Sequence, residues 1–511
     1  MYCNNGTSCT LWQKYRNFVK FVDVIIITVM EGSFITLLGS YIKSFSDFLW
    51  GWPLIILLVG THLFLTIRLR FPQRYIFKAI GISFRKDKNA EGDVSQFGAL
   101  TTSLAATIGT GNIIGVATAI SLGGPGAVLW CWLTGLLGIA TKYSEGLLAI
   151  KYRVKTAKGT MIGGPMYALE RGVKSKFLAV AFCVLAALAA FGIGDLVQSN
   201  AISTLLDNEG LFGPNFAGIP KHWTGLTVAF LVMLVTFFGI KGIARVCGFL
   251  VPFMAIFYVV GCLVILGMNW SVLDETISMI FSSAFTARAG AGGIAGFTVM
   301  MACRYGIARG LFSNESGMGS APIAAAAAQT KNPVRQALVS STGTFWDTVI
   351  VCALTGLVLV SSIYANPGID YKDGARLTQM AFGQIPYVGS IILTVSLATF
   401  AFSTILGWSY YAERSVEYLA GRRVIFIYRI IWIVLIYVGA VMNLEIVWNS
   451  ADILNGLMAI PNIISLLLLS GVIVRETRKY LWNKQLDKQS DEEIPLITGR
   501  RAARADLTDD I

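Results

Sequence analysis

Ala106-Thr107-Ile108-Gly109-Thr110-Gly111-Asn112 forms the centre of an apolar stretch, residues 97–120, that is long enough to cross a bilayer. Two glycines bracket a threonine there, and glycine is among the poorest helix formers. In hydrocarbon each backbone N–H and C=O group needs a partner inside the protein, so a membrane helix breaks at mid-depth only where the break lines a protein cavity. The stretch therefore predicts an interrupted membrane helix with a binding site at the interruption.

Helix packing is the alternative explanation of these glycines. Gly111-x-x-x-Gly115 is a small-residue motif of the kind through which membrane helices approach one another closely. Thr107, Thr110 and Asn112 favour the interruption, because polar groups at mid-membrane depth are costly and are usually functional. We therefore expect a broken helix.

The composition is that of a polytopic membrane protein. The 511 residues are 55% hydrophobic and 14% charged, whereas a soluble protein carries about one quarter charged residues. Apolar stretches of about 20 residues predict roughly eleven spans. They are residues 52–68, 97–120, 125–150, 178–206, 222–240, 246–268, 291–312, 336–362, 387–412, 424–443 and 447–474.

The net charge of +12 lies mainly in loops. Basic residues fill the connections after the first and third predicted spans, whereas residues 207–222, 269–288 and 363–386 are mixed or acidic. By the positive-inside rule the basic loops and the C-terminus are cytoplasmic. The excess of positive charge is therefore explained by topology and does not indicate nucleic-acid binding.

Both ends of the chain differ from the apolar centre. Residues 1–50 are predicted to be an external or interfacial segment, with an interfacial helix over 17–49 or, alternatively, an extra span. Residues 479–511 are polar and predict a mobile cytoplasmic tail. Cys3 and Cys9 could form an external disulfide or be free, and the spacing of the cysteines does not match a metal site.

A second interrupted segment matches the first. Without the span at 51–70, ten spans remain, in two groups of five at 97–268 and 290–474. Residues 290–300, which open the second group, are rich in glycine and lead into Arg304 and Arg309. Paired interrupted segments in corresponding positions of two halves indicate a transporter site near the midplane. Because each half has an odd number of spans, the two repeats would be inverted.

Three motifs carry a family resemblance: Gly109-Thr110-Gly111-Asn112, then Gly123-Gly124-Pro125-Gly126-Ala127-Val128-Leu129-Trp130-Cys131-Trp132, and Phe312-Ser313-Asn314-Glu315-Ser316-Gly317-Met318-Gly319-Ser320-Ala321-Pro322. In these motifs the chain resembles the alanine or glycine to cation symporters, also called sodium:alanine symporters, of the amino acid-polyamine-organocation group. It departs at Leu129-Trp130-Cys131-Trp132, where the family usually has Phe-Trp-Met-Trp, and at Ser316, where it usually has alanine. The resemblance covers roughly residues 45–480.

The resemblance implies the leucine-transporter fold, an all-α polytopic membrane protein with one extra helix ahead of a five-plus-five inverted repeat. It implies a secondary active symporter, not an enzyme, that imports a small neutral amino acid, alanine or glycine, with Na⁺ by alternating access. We expect a multi-pass protein of the bacterial inner membrane. The oligomeric state stays open, with a monomer expected.

The substrate site follows from the charges of an amino acid and from the resemblance. Freed N–H groups of Thr110, Gly111 and Asn112 would open the outer half-helix, where the helix dipole favours a carboxylate. The family resemblance adds further residues facing the substrate: Gln198, whose alternative role is an interhelical hydrogen bond, and an aromatic and methionine wall of Phe297, Met300 and Trp408.

The cation site is predicted from two adjacent hydroxyl groups in a membrane span. Ser403 and Thr404, together with carbonyl groups near Ala105 and Ile108, would supply the neutral oxygens that Na⁺ accepts as ligands. Their alternative role is hydrogen bonding to their own helix. The polar residues 313–320, with Asn314, Glu315 and Gly317, are expected to belong to an inner gate.

Other functions leave different signatures. Proton coupling would need a titratable group at the site, and Asp195, Asp347 and Glu145 are candidates that could instead cap helices or pair with Arg304 or Arg309. A non-transporting amino acid sensor of the same fold stays open, as do glycine, alanine and serine as substrates. A channel would normally need a ring of ligands. An enzyme has little support, since the chain holds two histidines, His62 and His222.

Overall fold

The computed structural model of the chain describes residues 37–85, 90–157, 159–208, 211–212, 216–286, 299–369, 371–442 and 445–497. Within these residues the protein is helical apart from loops and one antiparallel hairpin, Val154–Lys155 with Met161–Ile162. The longer α-helices are Trp52–Arg68, Ile76–Ser83, Gln96–Thr107, Val116–Gly123, Ala127–Lys151, Lys176–Ala189, Val197–Leu206, Lys221–Thr236, Gly239–Met268, Leu273–Phe285, Val299–Asn314, Pro333–Thr344, Ala353–Ala365, Gly374–Phe382, Val388–Ala420, Arg423–Val441, Glu445–Leu468 and Ser470–Thr477.

Wide π-helical turns replace regular α-helix at several places. Three of them lie within predicted spans, at Gly111–Gly115, Ala190–Leu196 and Phe345–Cys352. The last two join the α-helical parts of their spans, and the first follows a break in its span. Such turns insert an extra residue into the helix and are frequent at functional sites. Each of the three carries a polar residue that the sequence brought to attention: Asn112, Asp195 and Asp347.

Seven helices of the described chain are long and apolar enough to cross a membrane, and there are eight if the bent pair Gln96–Thr107 and Gly111–Gly123 is one span. Three further predicted spans are also helical. Ala127–Lys151 corresponds to 125–150, Lys221–Thr236 to 222–240, and Val299–Asn314 to the described part of 291–312. The polytopic membrane class therefore stands. The count of eleven crossings and the inverted repeat remain predictions.

Helices from both predicted repeats pack against one another. Gln96–Thr107 contacts Val388–Ala420, and Val299–Asn314 contacts both Ala127–Lys151 and Val116–Gly123. The break of the bent span is thereby enclosed by helices of both groups. A site at the break can for this reason draw its ligands from both halves of the sequence.

The start of the described chain differs from the prediction of an interfacial helix over residues 17–49. Residues 37–49 are helical and lead through Trp50 and Gly51 into Trp52–Arg68, so that Leu37–Arg68 is one candidate span. The Trp50 indole nitrogen donates to the carbonyl oxygen of Asp452 at 2.8 Å and fixes this helix against the last long one. Residues 1–36, with Cys3 and Cys9, lie outside the described residues.

Residues 479–497 are docked on the protein, where a mobile tail was predicted. The backbone N–H of Lys155 donates to Pro495 at 3.0 Å, and the N–H of Ile497 donates back to Lys155 at 3.0 Å. The Asn332 side-chain amide donates to the carbonyl oxygen of Lys488 at 2.8 Å. These backbone partners could not be read from a polar composition, which is why the prediction was wrong for this part.

Candidate functional site

The predicted interruption of the membrane helix lies where its glycines are. Gln96–Thr107 ends at Ile108, whose backbone is extended, with φ −76° and ψ 93°. The helix resumes as the π-helical turn Gly111–Gly115, and the two halves of the span are bent by 53°. The break-forming residues 108–110 are buried. A buried break in a membrane helix is the geometry that a ligand site requires.

Asn112 holds the break in shape through both ends of its side chain. Its Oδ1 atom accepts a hydrogen bond from the backbone N–H of Gly109 at 2.9 Å, and its Nδ2 donates to Asp347 Oδ1 at 2.7 Å. Its own backbone N–H donates to the carbonyl oxygen of Gly109 at 3.2 Å. The prediction that Asn112 offers a free N–H group is therefore wrong, because the turn after the break pairs it.

Asp347 ties three elements together beneath the break. Besides the bond from Asn112, its Oδ2 atom accepts from the Ser313 hydroxyl at 3.1 Å and from the Thr348 hydroxyl at 2.6 Å. The bent span, Val299–Asn314 and the π-helical turn Phe345–Cys352 are thus joined through one carboxylate. Among the described residues Asp347 acts as an acceptor for several donors, a role that the sequence did not predict.

Gln198 lies at the break, and its facing the substrate, which the family resemblance implies, stays a prediction. Its Oε1 atom accepts from the Thr110 N–H at 3.4 Å, and its Nε2 donates to the carbonyl oxygen of Ile193 at 2.9 Å. The Thr110 hydroxyl is buried and has no hydrogen-bond partner among the described residues. One backbone donor of the break is therefore weakly engaged, and one side-chain hydroxyl there is open to a ligand.

The four predicted cation ligands come together in the structure. The Thr404 hydroxyl lies 3.1 Å from the Ala105 carbonyl oxygen and 3.4 Å from that of Ile108, and the Ser403 hydroxyl lies 3.2 Å from the Ala105 oxygen. Both hydroxyls also donate to the Phe400 carbonyl oxygen of their own helix, Ser403 at 2.8 Å and Thr404 at 3.0 Å, so the alternative role expected for them is present as well. We call these five residues the cation cradle.

Neutral oxygens at the end of a broken helix suit a hard monovalent ion. Carbonyl and hydroxyl oxygens are the ligand type that such cations accept, and unwound carbonyls coordinate Na⁺ in transporters of this architecture. Gly109 leaves the space: a Cβ atom at this position would lie 2.5 Å from Thr404 Oγ1. The residues present therefore fit Na⁺.

Trp408 and the inner segment, which we define as residues 313–320, meet directly. The fully buried Trp408 donates from its indole nitrogen to Glu315 Oε1 at 3.1 Å. Gly194 makes room for the ring, because a Cβ atom there would be 2.3 Å from the Cβ of Trp408. Phe297, predicted for the same wall, lies outside the described residues. Met300 is 59% exposed.

The inner segment is pinned by neighbours distant in sequence. Glu145 Oε1 accepts from the N–H groups of Gly317 and Gly319, both at 3.1 Å, and from the Asn462 side chain at 2.7 Å. Lys142 donates to the carbonyl oxygen of Asn314 at 2.9 Å. The signal that could have revealed the roles of Lys142 and Glu145 is their charge within an otherwise apolar span.

The backbone of the inner segment is strained where it turns. Glu315 has a φ of +51°, and Gly317 and Gly319 have φ values of +92° and +86°. Such values suit glycine and are uncommon for a residue with a side chain. Conformations of this kind persist only where surrounding contacts hold them, and they cluster at functional and switching segments.

A cavity of about 260 Å³ lies against the break beside its second half-helix, and we call it the outer cavity because the charge distribution predicts that this side faces outward. Its lining includes Thr110 and Gly111 of the break and Phe312, Trp448 and Asp452 of other helices. Met300 and Trp408 are not among the residues that line it. The cavity is of a size for a small organic molecule and reaches the break from the side away from the inner segment.

Comparisons with known proteins show which family the chain is similar to. The sequence model of the sodium:alanine symporter family matches residues 35–494. The chain is 50% identical to an uncharacterized transporter of Haemophilus influenzae over 89% of its own length and 99% of that protein. It is 49% identical to the sodium/alanine symporter AgcS of Methanococcus maripaludis, over 86% of its length and 97% of the relative.

A solved structure shares the fold. The crystal structure of MhsT in complex with L-phenylalanine aligns with a TM-score of 0.54 at 15% sequence identity, over 77% of this chain and 95% of that one. At this identity the likeness concerns the arrangement of the helices and not their ligands. It supports the leucine-transporter-like architecture that the sequence resemblance implied.

Proposed function

The chain belongs to the sodium:alanine symporter family, and from this premise we propose that it imports alanine or glycine together with Na⁺ by alternating access. Membership makes it a multi-pass membrane protein and a Na⁺-coupled amino acid symporter. The choice of substrate, the residues and the mechanism below are our proposal. A bacterial inner membrane with the basic loops and the C-terminus inside is the setting that the charge distribution favours.

The cation cradle is the observation that carries the proposal. Carbonyl oxygens of Ala105 and Ile108 on the bent span face hydroxyls of Ser403 and Thr404 on Val388–Ala420, within 3.1 to 3.4 Å. An ion bound there would hold helices of both predicted repeats together. When Na⁺ binds, it supplies the positive charge around which both helices close; the chain supplies uncharged oxygens and the space left by Gly109.

The substrate would lie beside the cradle, on the outer face of the break. The N–H of Thr110 and the positive end of the outer half-helix suit the carboxylate of an amino acid. The Thr110 hydroxyl and Gln198 lie within reach of the same place. Trp408, and by family resemblance Phe297, would limit the room for a side chain, which favours alanine or glycine. Because Met300 is largely exposed, the geometry does not support it as part of this wall.

The inner segment would be the cytoplasmic gate. It is held by Glu145, Lys142 and Asn462 and bonded to Trp408. Since Trp408 is also proposed to face the substrate, the gate and the binding site share one side chain. The outer cavity reaches the break while the inner segment is packed, and this supports our proposal of an outward-facing state.

Proton coupling is a second candidate, and one observation favours it. Asp195 is fully buried in a membrane span, and neither of its carboxyl oxygens has a hydrogen-bond partner among the described residues. A buried acid without a partner is costly when ionised, so such a group is held protonated or receives a cation. Asp195 lies three residues before Gln198, which contacts the break.

Uptake by the purified protein in proteoliposomes tests the proposal. We expect alanine or glycine to accumulate when Na⁺ is applied outside, and K⁺ not to replace it. A thermal-shift series of small amino acids with and without Na⁺ should show the larger stabilisation with both present. Amino acid binding without uptake would identify a sensor. Uptake driven by a pH gradient in the absence of Na⁺ would identify a proton symporter.

A further inference from the structure

The outer cavity carries a cation and an anion that do not hydrogen-bond to each other. Arg309 and Asp452 both line it, next to Thr110 and Gly111 of the break. The nearest atoms of the two charged groups, Arg309 Nη1 and Asp452 Oδ2, are 3.9 Å apart. This is an electrostatic contact but is too long for a hydrogen bond. The Arg309–Asp452 ion pair is therefore not closed by a direct hydrogen bond.

One carboxylate oxygen of Asp452 lacks a hydrogen-bond donor among the described residues. This atom, Oδ1, is buried. Trp50 donates to the backbone carbonyl of Asp452 and thus fixes its helix without engaging the carboxylate. A carboxylate oxygen removed from water and left without a donor is unfavourable, so the site favours a ligand that brings a donor.

Arg309 is held in place over an aromatic ring. Its guanidinium carbon lies 5.7 Å from the centroid of Phe312, and Trp50 meets the same ring edge-on at 6.4 Å. A planar guanidinium presents a fork of donors that matches a carboxylate group. A Cβ atom on Gly111 would lie 3.4 Å from Phe312 Cδ1, so this ring stands between Arg309 and the break.

We propose that this cavity is an outer amino acid subsite, in which Arg309 binds the carboxylate of the substrate and Asp452 binds its ammonium group. The proposal rests on the proposed function, which makes the substrate a zwitterion. A metal cation would satisfy only Asp452 and a simple anion only Arg309. An amino acid serves both groups and leaves the net charge of the site unchanged, because the pair and the ligand are each neutral.

The position of the subsite gives it a role in selection. Thr110 and Gly111 belong to both the cavity and the break, so a molecule released from Arg309 and Asp452 has only to pass Phe312 to reach the proposed central site. A molecule that lacks either charge would leave one member of the pair unsatisfied. The subsite would therefore reject amines and carboxylic acids before they reach the break.

A neighbouring pair provides a matched control. Arg304 lies 3.3 Å from Asp47 and lines an adjoining cavity of about 80 Å³, together with Arg309 and Asp452, but not the outer cavity itself. Arg304 and Asp47 are more exposed, at 32% and 56%, than Arg309 and Asp452, at 25% and 14%. Neutralising the control pair removes charge next to the subsite but keeps Arg309 and Asp452, the two groups proposed to bind the substrate.

The experiment is Na⁺-driven alanine uptake by the full chain in proteoliposomes, with the variants Asp452→Asn, Arg309→Gln, Asp47→Asn and Arg304→Gln. We expect the first two to raise the half-saturating alanine concentration at least about tenfold, because each variant loses one charge-assisted hydrogen bond to the substrate. The half-saturating Na⁺ concentration should stay within about twofold in both variants, since the cation cradle is untouched. The two control variants should resemble the parent.

Further readouts separate a binding role from a structural one. Asp452→Asn should melt at the same temperature as the parent or higher, because it removes a carboxylate oxygen without a partner; Arg309→Lys should recover part of the affinity. Inhibition of uptake by excess alaninamide is compared with inhibition by excess alanine. Relative to alanine, alaninamide should be the stronger inhibitor of Arg309→Gln than of the parent.

Several outcomes would overturn the subsite. These are an unchanged half-saturating alanine concentration in both variants, a change in Na⁺ dependence alone, or a large fall in melting temperature that parallels the loss of uptake. Failure of the parent to take up alanine or glycine at all would instead reject the proposed function on which the subsite rests.

Discussion

Trp408 and Glu315 are joined by a hydrogen bond of 3.1 Å from the indole nitrogen to the carboxylate. The bond connects the wall of the proposed substrate site to the strained start of the inner segment, where Glu315 has a φ of +51°. The other carboxylate oxygen of Glu315 accepts from the Ser320 hydroxyl at 2.5 Å, which closes the segment on itself. A change at the substrate can thereby reach the gate through a single side chain.

Glu315→Ala should slow uptake and leave equilibrium binding of alanine nearly intact. The substitution removes the two Glu315 oxygens that accept from Trp408 and Ser320, so the closed gate is destabilised while the break is unchanged. We expect the maximal uptake rate to fall about tenfold and the affinity measured by a binding assay in detergent to change by less than about twofold. Glu315→Gln, which retains an acceptor for Trp408, is the control. A large loss of affinity in Glu315→Ala would count against the gate.

Ser403→Ala combined with Thr404→Ala should weaken the response to Na⁺. Both hydroxyls of the cation cradle are lost while the carbonyl groups remain, so we expect the half-saturating Na⁺ concentration to rise at least about tenfold. Thr399→Ala is the matched control, because the Thr399 hydroxyl bonds to Val395 and Ser396 of its own helix. Thermal shift against Na⁺ concentration measures the effect, and an unchanged Na⁺ response in the double variant would remove the cradle as the cation site.

Gly109→Ala should disrupt the cradle without unfolding the protein. The added Cβ atom would lie 2.5 Å from Thr404 Oγ1, and this hydroxyl can yield by rotating away from the Ile108 carbonyl. We expect a loss of Na⁺-dependent uptake. Gly115→Ala, four residues after Gly111 and with no atom within 4 Å of the added Cβ, should be tolerated. Equal uptake by the two variants would show that the space beside Gly109 is not needed for the ion.

Asn112→Ala should cost stability as well as substrate binding. It leaves the Gly109 N–H without its acceptor and removes a donor from Asp347, and each buried group left unpaired costs about 1–3 kcal/mol. Asp347→Asn disturbs the same contact from the other side. We therefore expect the two substitutions combined to be less destabilising than the sum of their separate effects. Strict additivity in chemical or thermal unfolding would mean that the two side chains do not cooperate in holding the break.

Asp195→Asn distinguishes Na⁺ coupling from proton coupling. If Na⁺ is the coupling ion, the neutral amide replaces a buried acid that makes no hydrogen bond in the described chain, and Na⁺-driven uptake should persist. If Asp195 carries the coupled proton, uptake driven by a pH gradient should be lost in this variant and present in the parent. Parallel measurements with a Na⁺ gradient and with a pH gradient decide between the two.

The sequence predicted those features that depend on a local conflict between residue type and environment. Glycines and polar residues in an apolar stretch located the break, and two adjacent hydroxyls located the cradle, whose partners Ala105 and Ile108 are almost 300 residues away in the chain. In each case the cost of a polar group in hydrocarbon limits what the residue can do.

Features that depend on a chosen partner were missed. The amide of Asn112 could have faced a substrate or a carboxylate with equal chemical plausibility, and only the fold brings Asp347 next to it. The same holds for Glu145, whose oxygen meets two backbone N–H groups of the inner segment. Docking of residues 479–497 depends on backbone partners, which composition does not encode.

The uncharged oxygens of the cation cradle have a consequence for energetics. Uncharged ligands would not neutralise the positive charge of a bound sodium ion, and a zwitterionic substrate would add no net charge. If the cradle binds Na⁺ as proposed, each turnover would be electrogenic, and every 100 mV of membrane voltage, negative inside, would contribute about 2.3 kcal/mol to inward movement for each ion. Concentrative uptake would continue with equal sodium on both faces, driven by voltage alone.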